Sequence, residues 1–265
     1  MVQTVYQRSG RGALLILKLI VVPLAVLLLG ITERVHGPRA AGWLSGFPVI
    51  AAPLLWFITA EHGAAFGAAS ARAAFFGLVP WLTFVTVYAW SAQRRNWWRS
   101  AAAAFAAWFA VAELMILLQG ASPLMDAFPF AAALAAMWWH PSAKGPDEQR
   151  QHPWWRLAVR MIAGATMTVA VAGVAGTIGS AWSGTFTTFP VVGSIVAISN
   201  HVEHGKRAVQ EAVAGMVFGI VSVEVFCFVL SLVLQRMSMG HAFALALAAA
   251  MGAHLVTWQV TRRIS

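Results

Sequence analysis

The chain has 265 residues, of which 60% are hydrophobic and 10% charged, and its formal net charge is +9. Ordinary soluble domains contain about 25% charged residues, so this composition excludes a soluble domain as well as disordered and collagen-like chains, and the lone cysteine, Cys227, excludes a disulfide scaffold. The basic residues flank apolar segments instead of forming a tract, which favours a membrane protein over a nucleic-acid-binding protein.

Apolar segments of membrane-spanning length predict nine transmembrane helices in chain order. They cover 12–31, 41–60, 71–91, 100–119, 122–139, 156–178, 185–201, 212–235 and 240–260. Lys18 and Pro23 inside the first segment, and the lack of a small-residue cleavage site, argue against a signal peptide. The fifth segment is short and contains Asp126, but it ends at the interfacial pair Trp138-Trp139. We therefore predict an all-α polytopic membrane protein.

The distribution of Lys and Arg orients the second half of the chain. Lys144, Arg150, Arg156 and Arg160 lie in the 140–160 region, Lys206 and Arg207 lie in the 201–207 loop, and Arg262 and Arg263 lie in the tail, whereas the opposite side carries Arg236. Because basic residues concentrate in cytoplasmic loops, the sequence predicts a cytoplasmic C-terminus in a bacterial inner (plasma) membrane. The two sides of the first half carry nearly equal numbers of Lys and Arg, so the orientation of the N-terminus stays open.

A repeated pattern divides the chain into two similar halves. Phe47-Pro48-Val49 recurs as Phe189-Pro190-Val191, and Glu61-His62-Gly63 recurs as Glu203-His204-Gly205, both at an offset of 142 residues. Acidic residues and histidine are scarce, with 9 and 8 in the chain, so a chance match of both motifs in one register is improbable. The pattern indicates an internal duplication.

The duplication predicts three parts of the chain. The first four-helix repeat covers 1–119, a linker helix and a cytoplasmic loop cover 120–153, and the second four-helix repeat covers 154–265. An even-numbered unit followed by one linker span inserts its second copy upside down. The sequence therefore predicts a 4+1+4 inverted repeat with a pseudo-two-fold axis in the membrane plane.

The repeated motif resembles the small bacterial inner-membrane proteins of the GlpM/DUF3147 type, which are half the size and carry a comparable Phe-Pro followed by Glu-x-Gly. The matching residues here are Phe47, Pro48, Glu61 and Gly63, and again Phe189, Pro190, Glu203 and Gly205. The resemblance covers roughly 40–80 and 182–222. It implies a fused double unit and paired half-size relatives, but it implies no activity.

Pro48 and Pro190 interrupt the second and seventh predicted spans, where each removes a backbone donor and frees groups that can meet a ligand. Broken spans at matching positions of two repeats predict a transport site near the membrane midplane. A packing kink is the alternative, since Pro and Gly are frequent in membrane helices.

Lys18 and Arg160, at matching positions of the two halves, are expected to extend to the lipid headgroups.

The two Glu-His-Gly motifs end the broken spans. Glu61, His62, Glu203 and His204 can bind or relay protons, or they can form polar turns at the membrane interface. A metal site at His201 and His204 is disfavoured, because Thr59 replaces His201 in the first copy.

Three ionisable residues lie at membrane depth. Glu113 is in the fourth predicted span, Glu224 is in the eighth, and His254 in the ninth lies at nearly the depth of Glu113. Such groups are functional candidates by default, as proton-exchanging groups of a transport pathway. The alternative is a neutral Glu that is hydrogen-bonded to a neighbouring helix.

The leading prediction is a secondary transporter or flippase of unknown substrate, with proton coupling as a hypothesis. The alternatives are a narrow ion channel, a non-transporting membrane subunit of an envelope or polysaccharide assembly system, and, third, a lipid-modifying enzyme. Enzyme motifs for nucleotide binding, serine hydrolysis and dithiol chemistry are missing from the sequence. We expect the lipid bilayer and a small-molecule, ion or lipid substrate as partners, and no cofactor, metal or nucleic acid.

Overall fold

The computed structural model describes residues 20, 22–48, 51–118, 126–139, 153–175 and 188–264, and these residues are helical apart from short connections. The helices within these residues are α1 (22–36), α2 (Pro38–Ser45), α3 (Ala51–His62), α4 (Ala64–Ala92), α5 (Trp97–Leu118), α6 (Phe128–Trp139), α7 (Trp155–Ala175), α8 (Val191–Glu203), α9 (Gly205–Val233) and α10 (Met239–Ile264). Among the described residues, α4, α5, α9 and α10 are long and apolar enough to cross a membrane. The chain is therefore a helical protein with several potential membrane spans, as its composition predicts.

The nine predicted spans are only partly reproduced. The second, 41–60, is divided into α2 and α3, which have 8 and 12 residues. Of the fifth, 122–139, the described helix is α6, whose 12 residues extend about 18 Å, less than the roughly 30 Å of a bilayer core. The first span begins outside the described residues, and the sixth and seventh are described in part, as α7 and α8.

Two loop predictions were wrong. The predicted spans 41–60 and 71–91, and likewise 185–201 and 212–235, leave loops of ten residues between them, but α4 begins at Ala64 and α9 begins at Gly205. A helix can continue past the apolar window when its first turns reach water and carry polar side chains. In α9, Arg207 pairs with Glu211 four residues later at 2.9 Å, which supports the first helical turns.

The two longest helices, α4 and α9, form the centre of the molecule and run antiparallel. Near the start of α9, Nζ of Lys206 donates a hydrogen bond to the carbonyl oxygen of Gln93, just beyond the end of α4 (2.8 Å). At the other end, Gly67 near the start of α4 packs against Leu234. Helix α5 packs along α4, α10 packs along α9, and α6 contacts both central helices. One hydrophobic core therefore crosses the predicted domain boundaries.

Glycines bring α2 into direct backbone contact with α9. A Cβ atom on Gly42 would overlap the carbonyl oxygen of Ala212, and one on Gly219 would overlap the carbonyl oxygen of Trp43. Small residues at a helix interface permit this approach. The packing holds the C-terminal end of α2, and the break that follows it, against the middle of α9.

Matching positions of the two halves have matching local geometry. Gly63 precedes α4 and Gly205 begins α9, both with positive φ (87° and 80°), a conformation that glycine adopts at little cost. The helices that follow each have 29 residues.

The contacts between the two halves also occur in matching pairs. Gly77 on α4 faces Thr188, and Gly219 on α9 faces Gly46. Both members of the second pair lie 142 residues from members of the first. A third contact joins Gly164 to Val22, two residues that are themselves 142 positions apart.

Candidate functional site

The break between α2 and α3 is held by a serine of α9. Helix α2 ends at Ser45, and the chain then passes Gly46 and Pro48 before α3 begins. Ser222 is fully buried, and its Oγ lies 2.7 Å from the carbonyl oxygen of Gly46 and 2.6 Å from that of Gly219 in its own helix. The serine therefore links the broken segment to the middle of a central helix.

His254 of α10 completes this polar cluster. Its Nδ1 lies 2.9 Å from Oγ of Ser222. Its ring stacks on Trp43 with centroids 3.7 Å apart, and it meets the ring of Phe47 at 5.3 Å in an edge-on arrangement. The residue is 4% exposed. We refer to Trp43, Gly46, Ser222 and His254 as the break cluster.

The break cluster brings together two of the sequence-predicted candidates, the Pro48 break and His254, and adds Ser222 and Trp43. Ser222 could have been noticed as a polar residue within an apolar span, two positions from Glu224. Trp43 gave no such signal, because tryptophan is common in membrane proteins as an interfacial anchor. It contributes both its stacking and an Nε1 hydrogen bond to Oγ1 of Thr257 (3.3 Å).

Glu224 lies near the break cluster along α9 but on another side of the helix. Two residues separate positions by about 200° around a helix axis, so Glu224 points away from the side of Ser222. One turn further, Phe228 packs against Phe75 of α4 and Phe130 of α6. Glu224 is fully buried, and neither carboxyl oxygen has a hydrogen-bond partner among the described residues. Burying a carboxylate charge without a partner is costly, whereas a protonated carboxyl is tolerated.

The segment around Pro190, which matches Pro48 at the repeat offset, packs against aromatic rings. Pro190 precedes α8, and the adjacent Phe189 stacks on Phe105 at 5.5 Å and meets Trp108 at 4.9 Å. The positions that match Ser222 and His254 at the repeat offset are Pro80 and Ala112. The two halves therefore differ: the break of the first half contacts polar groups, and the described part of the second contacts aromatic rings.

A second polar cluster connects α1, α7 and α8. Arg160 pairs through Nη1 with Glu33 (2.7 Å) and through Nη2 with Glu203 (2.7 Å), and the second oxygen of Glu33 lies 3.5 Å from Nδ1 of His204. The three charged side chains are between 6% and 11% exposed. We call Glu33, Arg160, Glu203 and His204 the ion cluster.

The ion cluster corrects one expectation and reveals a missed residue. Arg160 was expected to extend to the headgroups, but it binds two carboxylates within the protein. Glu33 was missed because it lies in a predicted loop beyond the first apolar segment. Lys18, the residue that matches Arg160, lies outside the described residues.

The first Glu-His-Gly motif lies at the opposite end of the molecule, because it precedes α4 and α4 is antiparallel to α9. His62 is exposed and stacks on Phe66 at 4.8 Å, and Glu61 is half-buried. The structure therefore does not bring the two motifs together.

Glu113 occupies the exposed face of α5, together with Leu114 and Leu117. The face of α5 that packs inward contains Trp108, Ala112 and Met115. Glu113 is thus separated from both buried clusters.

No protein family, curated protein or solved structure matches this chain. Within the described residues, no group of three or more His, Cys, Asp or Glu side chains could hold a metal ion. The features that bear on function are therefore the two polar clusters, the buried Glu224 and the arrangement of the helices.

Proposed function

We propose that this protein is a secondary transporter or flippase of the bacterial inner membrane, with its transport site at the break cluster and with proton coupling through Glu224. The observation that carries the proposal is the hydrogen bond of Ser222 to the Gly46 carbonyl (2.7 Å). It binds irregular backbone of a broken helix in the buried centre of a membrane protein. Irregular backbone is tolerated at membrane depth only inside protein or beside a cavity, and broken helices form the substrate sites of many transporters.

The helix arrangement supports an inverted repeat. Matching helices α4 and α9 are antiparallel. In a two-fold arrangement, each contact between the halves is matched by a second contact between the equivalent residues, as for Gly77–Thr188 and Gly219–Gly46. A contact between equivalent residues, as for Val22 and Gly164, lies on the axis itself. These pairs favour duplication of a half-size unit, in agreement with the resemblance to the GlpM/DUF3147 type.

Glu224 is the proposed proton-exchanging group. It lies about 14 Å from the C-terminal end of α9, at 1.5 Å per residue, and therefore well inside a bilayer core of about 30 Å. Its buried carboxyl is tolerated when neutral, and an opening of the packing between α9, α4 and α6 would let it release the proton. Glu113 is a weaker candidate, because it lies on the exposed face of α5 and belongs to neither buried cluster.

The charges of the folded chain support a cytoplasmic C-terminus. Contacts of Arg34 with Pro153, of Lys206 with Gln93, and of Arg160 with Glu33 and Glu203 place these segments at one end of the molecule. The described basic side chains toward this end include Arg34, Arg39, Arg94, Arg95, Arg99, Arg156, Arg160, Lys206 and Arg207. The described basic side chains toward the other end are Arg72 and Arg236. By the positive-inside rule, the richer end is cytoplasmic.

The ion cluster is the proposed cytoplasmic gate. It joins α1, α7 and α8 at the basic end through ion pairs of 2.7 Å, and separating these helices requires those pairs to break. Glu61 and His62, at the other end, are the proposed counterpart on the outer side. Such gates on opposite sides of one site are what alternating access requires.

The test uses the full-length protein in liposomes that contain a pH-sensitive dye, with imposed gradients of small solutes. We expect proton movement that depends on the solute, and we expect Glu224→Gln to reduce it to the level of empty liposomes. Glu113→Gln is the matched control and should retain it. Unchanged movement in Glu224→Gln removes Glu224 from the mechanism.

The same experiment separates the competing functions. A steady proton or ion current that needs no solute would indicate a channel. No flux, together with a partner that co-purifies in stoichiometric amount, would indicate a non-transporting subunit of an assembly system.

A further inference from the structure

The hydrogen bonds around Ser222 determine which ring nitrogen of His254 carries the proton. The Ser222 hydroxyl lies 2.7 Å from the carbonyl oxygen of Gly46 and 2.6 Å from that of Gly219. Carbonyl oxygens only accept hydrogen bonds, and the hydroxyl has a single proton. If that proton pointed at Nδ1, both short O···O contacts would be left without a hydrogen, so the proton points at a carbonyl. Nδ1 of His254, 2.9 Å from the same hydroxyl oxygen, is therefore the donor in their contact.

This assignment leaves the other nitrogen of His254 bare. A neutral imidazole has one N–H group, so Nε2 is an unprotonated acceptor when Nδ1 carries the proton. Nε2 is buried and has no hydrogen-bond partner among the described residues. Since buried polar atoms nearly always have a partner, an acceptor beside a broken helix that no described residue contacts indicates a site for a bound donor.

We propose that Nε2 of His254 accepts a hydrogen bond from the ammonium group of a small cationic substrate; this inference rests on the transport function proposed above. The partner must bring a donor, because Nε2 presents a lone pair. A carboxylate or a phosphodiester group has no proton to donate and is disfavoured at this atom. An ammonium group has three donors and a positive charge.

The aromatic surroundings of His254 favour a cation over a neutral donor. Trp43 stacks on the imidazole at 3.7 Å, Phe47 lies 5.3 Å away, and Trp258 lies 4.5 Å from Trp43. The faces of aromatic rings carry negative charge density and attract ammonium groups, most strongly where water is excluded. A substrate amine at Nε2 would therefore be held by a hydrogen bond in a buried environment that contains several aromatic rings.

The first part of the test measures the tautomer directly. We propose nitrogen NMR of the full chain in lipid nanodiscs with ¹⁵N-labelled histidine, and His254→Asn identifies the His254 signals. We expect Nδ1 in the protonated range and Nε2 in the unprotonated range. Ser222→Ala should produce a mixture of tautomers, because Nδ1 loses its acceptor. A wild-type spectrum with Nε2 protonated overturns the inference.

The second part uses two cations that differ in hydrogen-bond donors. Methylammonium has N–H donors and tetramethylammonium has none, so at equal pH and ionic strength only methylammonium should shift the Nε2 resonance of His254. The matched control is His241, an exposed histidine whose Nδ1 contacts Ser238 at 2.6 Å, and its resonances should not shift. No shift with methylammonium, or equal shifts with both cations, overturns the proposed substrate class.

Flux measurements separate this inference from the proposed function. Asparagine keeps a donor near the position of Nδ1 and lacks an atom at the position of Nε2, so His254→Asn should retain the Ser222 contact and lose methylammonium uptake in liposomes. If methylammonium shifts Nε2 but no liposome shows uptake, the binding site stands and the transport function fails. If other solutes drive Glu224-dependent proton movement and methylammonium shows neither binding nor uptake, the transport function stands and the ammonium site fails.

Discussion

Arg160 is held by two acidic side chains from different helices, and each of these depends on it. The guanidinium lies 2.7 Å from both Glu33 and Glu203, and all three side chains are almost completely buried. Arginine suits this position because its planar group binds carboxylates with several donors at once. Removing it would leave two buried carboxylates without their cation, and an uncompensated buried charge strongly destabilises a folded protein.

Substitution of this arginine should therefore destabilise the protein. We expect Arg160→Met to lower the free energy of unfolding by about 3 kcal/mol, the lower end of the range for breaking a buried ion pair. Arg72→Met is the matched control, since Arg72 pairs with Asp126 at 2.6 Å while 47% of its side chain is exposed, and exposed pairs contribute about 0–1 kcal/mol. Thermal unfolding in a mild detergent measures both. Equal midpoints for the two variants would contradict the structural importance of the ion cluster.

At the scale of elements, the backbone contact between α2 and α9 positions the break cluster. Gly42 faces Ala212, and Gly219 faces Trp43, without space for another atom. Because Ser222 and Gly219 lie one turn apart on α9, the separation of the two helices decides whether the hydroxyl of Ser222 reaches the Gly46 carbonyl.

A methyl group at this contact should push the helices apart. We expect Gly219→Ala to destabilise the protein by about 1–3 kcal/mol, the usual cost of overpacking, and to reduce solute-dependent proton movement in liposomes. Gly252→Ala in α10 is the matched control, because a Cβ at Gly252 has no neighbour within 4 Å and alanine favours a helix by about 1 kcal/mol. An unchanged thermal midpoint in Gly219→Ala would show that the two helices are not in close contact.

Sequence patterns were sufficient to predict the bounds of some helices and not of others. The apolar windows predicted α5 and α10 to within a few residues, because these helices lie on the outside and their composition follows the lipid. The starts of α4 and α9 were placed too late, since their first turns carry Arg72, Lys206 and Arg207. Hydropathy locates the apolar part of a helix. It does not locate polar turns that extend the same helix beyond that part.

At the scale of the whole molecule, the antiparallel packing of α4 and α9 requires the two Glu-His-Gly motifs to lie at opposite ends. The first half alone gave nearly equal numbers of basic residues on its two sides. Folding combines the segments around Arg34 and Arg94 with those around Arg156 and Lys206. Among the described residues, the asymmetry of charge seen in the sequence of the second half therefore extends to the first half only through the fold.

Cysteine accessibility in intact cells tests this arrangement. In a Cys227→Ser background, we expect a membrane-impermeant thiol reagent added outside to label His62→Cys, and to leave Arg95→Cys and Lys206→Cys unlabelled until the cells are opened. Cys227 is fully buried, so its replacement should remove only background labelling. Labelling of His62→Cys and Lys206→Cys from the same side would refute the inverted arrangement.

The sequence by itself determined the solvent of this protein, its helical class and the positions of its rare polar residues. Ionisable residues are scarce and easy to locate in an apolar chain, so Glu224 and His254 could be selected without coordinates. Pro48 could be selected because proline interrupts a predicted helix. Which of these residues meet was decided by tertiary structure. The hydrogen bond of Ser222 to Gly46, the stacking of Trp43 on His254 and the pairing of Arg160 with Glu33 join residues between 127 and 211 positions apart. Contacts of that range depend on how the helices pack, and hydropathy and short motifs carry no information about it.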